Sequence, residues 1–230
     1  TLAARVEAAG DSAERRDELK ARAGALLERY REAARALHEK RRTHAAELAQ
    51  RVTRLMADLG MAGGCFELNV THAPEQAPGR RGDDRVQVMV SANPGLPPGP
   101  LAKIASGGEL SRISLAIKAA ASHSPETLTQ VFDEVDAGIG GETANTVGQL
   151  LQRLAGAGQA LCVTHLAQVA VCATHQLQVS KAAEEDSTRV ETRLLGAGER
   201  VDEIARMLSG RLSEQSRAHA RELLQAAGPA

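Results

Sequence analysis

Two short stretches between Ser106 and Gly141 hold residue types from which a reacting centre can be built. The first is Ser106-Gly107-Gly108-Glu109-Leu110-Ser111-Arg112. A Ser-Gly-Gly turn that runs straight into a helix exposes main-chain N–H groups at the helix N-terminus, where an anion is stabilised. The second is the apolar run Gln130-Val131-Phe132, which ends in Asp133-Glu134 and continues as Val135-Asp136-Ala137-Gly138. Adjacent carboxylates at the end of a buried strand suit a Mg²⁺ ligand and a water-activating base. The pair together reads as a phosphate-contacting loop and a metal-and-base corner for nucleotide hydrolysis. Plainer readings stand beside it. The acids can form a solvated strand end, and Ser106 can be an N-cap with Glu109 in the first helical turn.

The elements that must position these residues follow from the apolar pattern. A mostly buried helix is expected from Glu109 to about Ala121, and a buried strand from Thr127 to Phe132. Glu142 to Ala155 reads as a helix ended by Gly156 and Gly158. Ala160 to Thr164 reads as a second buried strand capped by His165. A short helix (Leu166 to Thr174), two alternating strands (Gln176 to Ser180, Arg189 to Leu195) and two helices (Val201 to Leu208, Ser213 to Gln225) complete the chain. Strands alternating with helices from residue 100 onward argue an α/β fold with a mostly parallel sheet and flanking helices. Ahead of it, Cys65 to Val70 and Arg85 to Val90 alternate as two strands of a hairpin around an exposed loop, His72 to Asp84. Ser91 to Pro100 holds four prolines and reads as a stiff lead-in to the Ser106 turn.

The first part of the chain is different. From about Ser12 to Leu59 it is rich in Ala, Leu, Glu and Arg, with no Pro. Apolar positions fall at Leu19, Ala23, Leu26, Tyr30, Ala33 and Leu37, in the alternating steps of a coiled coil. The pattern resumes at Ala45, Leu48, Val52, Leu55 and Leu59 after an eleven-residue step from Leu37 to Leu48, a stutter. Such a helix spans on the order of 70 Å and is expected to project from a domain of this size. The other reading is a long helix packed within its own domain. The expected division is therefore a coiled-coil leg over 1–60 and a globular part over 61–230.

Composition narrows the class. The 230 residues are 43% apolar and 25% charged, ordinary for a soluble chain. Two Phe, one Tyr and no Trp leave no stacking platform for single-stranded nucleic acid. A net charge of -1 gives no support from composition for nucleic-acid binding, although a local basic patch is compatible with it. Arg15-Arg16 and Lys40-Arg41-Arg42 offer charge for a phosphate backbone, but their acidic neighbours favour a solvated helix face. No apolar run approaches the roughly 20 residues of a membrane span, and no signal peptide is visible. The three scattered cysteines suit a reducing compartment. The chain starts at Thr1 in an already helical pattern, so a piece of a longer protein is expected.

The ordered set of motifs resembles the ABC-type ATPases. Ser106 to Arg112 is similar to their signature motif, and Leu128 to Glu134 to their Walker B strand. Asp136 with Gly138 is similar to their D-loop, and Val163-Thr164-His165 to their switch histidine. A helical leg directly before the signature points to the SMC-like branch. The wordings Ala105 to Ile113, Val131 to Asp136 and Cys162 to Val169 resemble its bacterial DNA-repair members most closely. Gly140 departs from that group, which usually shows Ser there. The resemblance implies ATP with Mg²⁺, with Asp133 holding the metal and Glu134 deprotonating the attacking water. His165 reaches the γ-phosphate, and Ser106, Gly107, Gly108, Glu109 and Asp136 contact nucleotide across a dimer of heads. It further implies double-strand-break repair, with ATP-driven head dimerisation coupled to DNA binding and end bridging, in a cytoplasmic, nucleoid-associated protein without a membrane partner. The alternatives are a nucleotide-binding subunit of an ABC transporter, or a coiled-coil scaffold with a degenerate head. An intact Glu134 argues against the scaffold, and the helical leg against the transporter.

One required part is missing from these residues. A phosphate-gripping loop needs Gly-x-x-x-x-Gly-Lys-Ser/Thr. None of Lys20, Lys40, Lys103, Lys118 and Lys181 follows a glycine. The expectation is the C-terminal half of an ATPase head plus its returning leg, inactive alone and completed by an N-terminal half. A competing pattern, Cys162-x₂-His165 with Cys172-x₂-His175, has the spacing of zinc ligands. It lacks the polar, glycine-bearing turns of a zinc knuckle. Cys65 reads as a small strand hydrophobe, and His38, His44, His72, His123 and His219 as surface residues.

Overall fold

The computed structural model describes residues 2–103, 106–121, 129–156, 158–184 and 187–228, with side chains from residue 14 on except 182–184 and 187–188. Ala105, His123, Thr127 and Leu128 lie outside the described residues. The chain forms two compact units, Thr1–Ala49 with Glu67–Met89, and Gln50–Phe66 with Val90–Ala230. No described helix is long and apolar enough to cross a membrane.

Helix α1 (Leu2–Asp58) runs unbroken for 57 residues. It starts ten residues before the start expected at Ser12, so Ser12 is interior to the helix. From Tyr30 onward its inward face is Tyr30, Ala34, Leu37, Ala45, Leu48, Val52 and Met56, with Ala34, Ala45, Val52 and Met56 buried, and Leu59 just past its end is buried as well. The eleven residues from Leu37 to Leu48 keep one face by placing Arg41 and Ala45 between them, the three-turn step of a stutter. Leu19 and Leu26 point to solvent instead, at 59% and 52% exposure.

In the first unit, α1 meets the segment carried by β1 (Cys65–His72) and β2 (Asp84–Ser91). The contacts are polar. The Tyr30 hydroxyl donates to Asp83 and accepts from the Gly79 N–H at 2.9 Å. Arg41 Nη1 donates to Asp84 Oδ2 at 2.9 Å. Strands β1 and β2 are neighbours in one sheet, and the two-residue β3 (Gly99–Pro100) belongs to the second unit.

In the second unit, α2 (Gly107–Ala121), β4 (Thr129–Phe132), α3 (Gly141–Ala155), β5 (Gln159–Cys162) and α4 (Ala167–Ala170) alternate. Strands β4 and β5 pair in parallel, with Val131 opposite Leu161 and Phe132 opposite Cys162. Helix α3 buries one stripe, Ala144, Val147, Leu150, Leu151 and Leu154. Gly148 lies in the same stripe because a Cβ there would come within 2.8 Å of Cys172 Sγ. Strands β6 (Leu177–Glu184) and β7 (Ser187–Leu194) form an antiparallel pair with Leu177 opposite Leu194. Helices α5 (Ala197–Ser209) and α6 (Glu214–Ala227) close the unit. Ile204, Ala205 and Ala220 pack there with Ala167, Ala170 and Val171. Ser213 caps α6 by accepting from the Ser216 N–H at 3.1 Å, and Ser216 Oγ returns the bond at 3.0 Å.

The strand interiors depart from expectation. Val131, Leu161 and Val163, read as buried from their apolar run, are 64%, 44% and 63% exposed. An unbroken apolar strand is the pattern of a sheet covered on both faces. Among the described residues only one face is covered.

Candidate active site: the 133–138 turn

Strand β4 delivers Asp133 and Glu134 to its C-terminal end, and a tight turn follows. The Ala137 N–H donates to the Glu134 carbonyl at 3.1 Å. Glu134 has φ 57, the single left-handed non-glycine among the described residues. That backbone costs on the order of 1–3 kcal/mol for a residue with a Cβ and is characteristic of functional sites. The turn also fixes Asp133, whose Oδ1 accepts from the Glu134 N–H at 2.9 Å. Both carboxylates are exposed.

Asp136 points the other way and is 3% exposed. Its Oδ2 accepts from Thr164 Oγ1 at 2.5 Å and from the His165 N–H at 3.0 Å. The His165 ring nitrogen Nδ1 is 3.2 Å from the same oxygen, while the His165 side chain is 72% exposed. Asp136 thus fastens the end of β5 and presents His165. This is a positioning task, which sequence reasoning did not assign to it.

The Ser106 turn closes the group from a third side. Ser106 Oγ accepts from the Glu109 N–H at 3.4 Å, and the Ser106 carbonyl accepts from the Leu110 N–H at 3.0 Å. Ser106 is therefore a true N-cap, with Glu109 in the first turn of α2. A Cβ on Gly107 would collide with the Glu134 carboxylate, and one on Gly108 would lie 2.8 Å from Ala137 Cβ. Gly108 is needed because the helix start lies directly on the 133–138 turn. The sequence reading gave no role to Arg112, yet it locks this contact. Its guanidinium, 7% exposed, donates from Nη1 to the Ala137 carbonyl at 2.7 Å. Burial pulls its pKa below the usual arginine range, and Glu109 partly restores it. Thr164 was missed as well. Their signals were their places inside the Ser106–Arg112 stretch and directly before His165.

The zinc pattern does not assemble. Cys162, His165, Cys172 and His175 are not gathered into a cluster of potential ligands among the described residues. Burial pushes the Cys162 thiol up to about 12, with Asp136 and Asp133 adding to the effect, so it stays protonated. Two of the three cations in Lys40-Arg41-Arg42 have acidic partners. Arg41 pairs with Asp84, and Arg42 lies 3.1 Å from Glu39.

No protein-family model matches the chain. The DNA repair protein RecN of Xylella fastidiosa strain 9a5c is 42% identical over 225 residues, covering 97% of this chain and 40% of that protein. RecN of Deinococcus radiodurans is 43% identical over 220 residues, covering 95% and 38%. RecN of Treponema pallidum is 42% identical over 206 residues, covering 87% and 36%. Among solved structures, the Smc head domain with a coiled coil and joint from Pyrococcus yayanosii aligns at TM-score 0.46 and 20% identity, over 82% of this chain and 30% of that one. A chain described under ATP-driven dimerization and DNA stimulated activation of SMC ATPases aligns at TM-score 0.45 and 18% identity, over 77% and 99%. Likeness at these scores carries no weight on its own. The sequence identity does: this chain belongs to the RecN family, as a segment spanning about two fifths of the length of those relatives.

Proposed function

We propose that this segment is the signature, Walker B and switch-histidine part of an SMC-like head that hydrolyses Mg-ATP in DNA double-strand-break repair. The observation that carries the reading is the convergence on one turn. The capped start of α2, the Asp133-Glu134 pair and the Asp136-held His165 all meet at residues 133–138. The donor set fits the metal: Asp133 offers carboxylate oxygen at the surface, the ligand type that Mg²⁺ takes. Bound there, Mg²⁺ supplies charge neutralisation at the phosphates. Glu134 takes the proton of the attacking water, and His165 is held out toward the γ-phosphate.

The rest of the site comes from elsewhere in the whole protein. The exposed apolar residues Val131, Leu161 and Val163 are suited to an element of the N-terminal half of the head packed on that uncovered face. That half supplies the P-loop. The turn Ser106, Gly107 and Gly108 receives the γ-phosphate of nucleotide held by a second head, so that two heads close head to tail over two nucleotides. In the single chain the Glu134 carboxylate lies over Gly107, where a phosphate would dock. It is exposed and can swing away. Head closure drives DNA binding and the bridging of broken ends.

The test is completeness. The chain alone should not hydrolyse ATP. Co-expressed with the N-terminal segment of the whole protein, it should co-purify and turn over Mg-ATP. Robust hydrolysis by the isolated chain overturns the reading. A companion variant, Ser106→Arg in complete protein carrying Glu134→Gln, should bind ATP nearly normally and give no ATP-dependent dimer in light scattering. Unimpaired dimerisation removes the Ser106 turn from that role.

A further inference from the structure

A second group of side chains, sharing no residue with the 133–138 site, is gathered in the first unit. His38 comes from α1, His72 is the last residue of β1, and Asp84 is the first of β2. Asp84 is 1% exposed at its side chain, His38 18% and His72 24%. One carboxylate oxygen faces both rings. Asp84 Oδ1 is 2.8 Å from His38 Nδ1 and 3.5 Å from His72 Nδ1. The other oxygen is taken by Arg41 at 2.9 Å. His72 Nδ1 is fully buried and has no hydrogen-bond partner. A buried ring nitrogen left without a partner is destabilising.

We propose that His38, His72 and Asp84 form a binding site for a divalent ion of the zinc class, which pins α1 to the β1–β2 segment. The ligand atoms lie within 4.8 Å of one another. Zinc holds nitrogen and oxygen ligands at about 2.0–2.1 Å, so neighbouring ligand atoms in a tetrahedral site are about 3.3–3.4 Å apart. The two observed nitrogen–oxygen separations bracket that spacing. The two ring centroids are 5.0 Å apart and the rings are tilted by 39°. An ion at the convergence gives His72 Nδ1 the partner it lacks.

The donor set selects the ion. Two imidazole nitrogens and one carboxylate suit zinc, cobalt or nickel, whereas Mg²⁺ and Ca²⁺ want an all-oxygen shell. Arg41 sharpens this choice. It orients the ligating carboxylate from behind, as outer-shell partners do. It also cancels the carboxylate's charge, on which a hard cation depends most. Three protein ligands leave a fourth position for water. The three residues are separated by 34 and 12 positions in sequence, so no spacing motif announces them.

The experiment uses the whole chain, stripped of metal with a chelator. Zn²⁺ is titrated by calorimetry, and Co²⁺ by visible absorption. One saturable equivalent is expected. His72→Ala and His38→Gln should each weaken it by about 100-fold or more, given that even outer-shell losses cost 10–100-fold. The double variant Cys162→Ser, Cys172→Ser should leave it unchanged. Absence of a saturable equivalent, or affinity indifferent to His72→Ala, overturns the proposal. Should a histidine variant fail to fold by circular dichroism, the Co²⁺ spectrum of the unaltered chain decides. Tetrahedral bands without a thiolate charge-transfer band support the site, and a thiolate band overturns it.

Discussion

Asp136 and Glu203 are both nearly buried acids of the second unit, at 3% and 8% exposure. Their partners differ. Glu203 is closed on local and structural groups: Arg206 Nε at 2.8 Å, Arg206 Nη2 at 2.7 Å and Gln178 Nε2 at 2.8 Å. Three donors fill it, and the result is β6 tied to α5. Asp136 is closed on Thr164 and the His165 N–H, 28 and 29 residues away, and leaves the His165 ring 72% exposed. One acid uses its bonds to tie two elements together. The other uses them to aim a side chain at solvent, beside two further acids that are exposed. Burial alone therefore does not distinguish the two acids; what each holds in place does.

The sharpest test of this contrast is on the exposed side. Glu134→Gln in the complete protein keeps the shape and removes the base. Single-turnover ATP hydrolysis should fall by about 10²–10⁴. Nucleotide binding should persist, because Asp133 is untouched. Unchanged turnover removes Glu134 from the role given to it.

The next test sets the two buried acids against each other. Asp136→Ala frees the end of β5 from the turn, and misplacement of a reacting group by about 1 Å costs on the order of 10² in rate. Glu203→Ala should leave turnover per folded molecule close to that of the parent and lower only its melting temperature. If both variants lose turnover equally in steady-state assays, the distinction between an aiming acid and a structural one fails.

The reach of sequence differs between these regions for physical reasons. The Ser106 cap with Glu109 in the first turn, and the acid pair at the end of β4, were legible because each is written in consecutive residues. The observed α2, α3, α5 and α6 begin and end within a few residues of expectation, because amphipathic spacing and glycine stops are local. The task of Asp136 was not legible, since it depends on the Thr164 loop arriving beside it. Val131 and Val163 were read as buried because composition reports what a strand is suited to, not what covers it. The early phase of α1 was read as Leu19–Leu26–Ala33, whereas the structure buries Ala34 and leaves Leu19 and Leu26 exposed; Ala45, Val52 and Leu59, read on the stripe, are buried. Which apolar stripe turns inward is decided by the partner surface. His38 and His72 were read as surface residues, because only the fold brings them to Asp84.

Arg112 gives a smaller, structural effect that still reports on the functional turn. Arg112→Met keeps the length and removes the donor to the Ala137 carbonyl. A buried acceptor left unpaired costs about 1–3 kcal/mol. For a domain of 150–250 residues each kcal/mol is worth roughly 2–4 °C in melting temperature. Calorimetry on the isolated chain should show this fall. A variant as stable as the parent means the Ala137 carbonyl finds another partner and Arg112 does not lock the turn.

The smallest expected effect is the pH dependence of the structural acid. The Arg206 hydrogen bonds hold the Glu203 carboxyl below its ordinary value of 4.5; burial works against them, and Gln178 adds to them. A carboxylate whose pKa is depressed by folding stabilises the native state above its unfolded pKa. That contribution is lost as pH falls through the folded value. Glu203→Gln removes the charge and keeps the shape. The parent should therefore melt higher than the variant at pH 7, by no more than a few degrees. The gap should hold down to about pH 4.5 and close below it, as Glu203 itself takes up a proton. Melting curves of both proteins from pH 7 to pH 3 measure this directly. A gap that widens on acidification reverses the sign, and the Arg206 pairing then does not stabilise the α5–β6 contact.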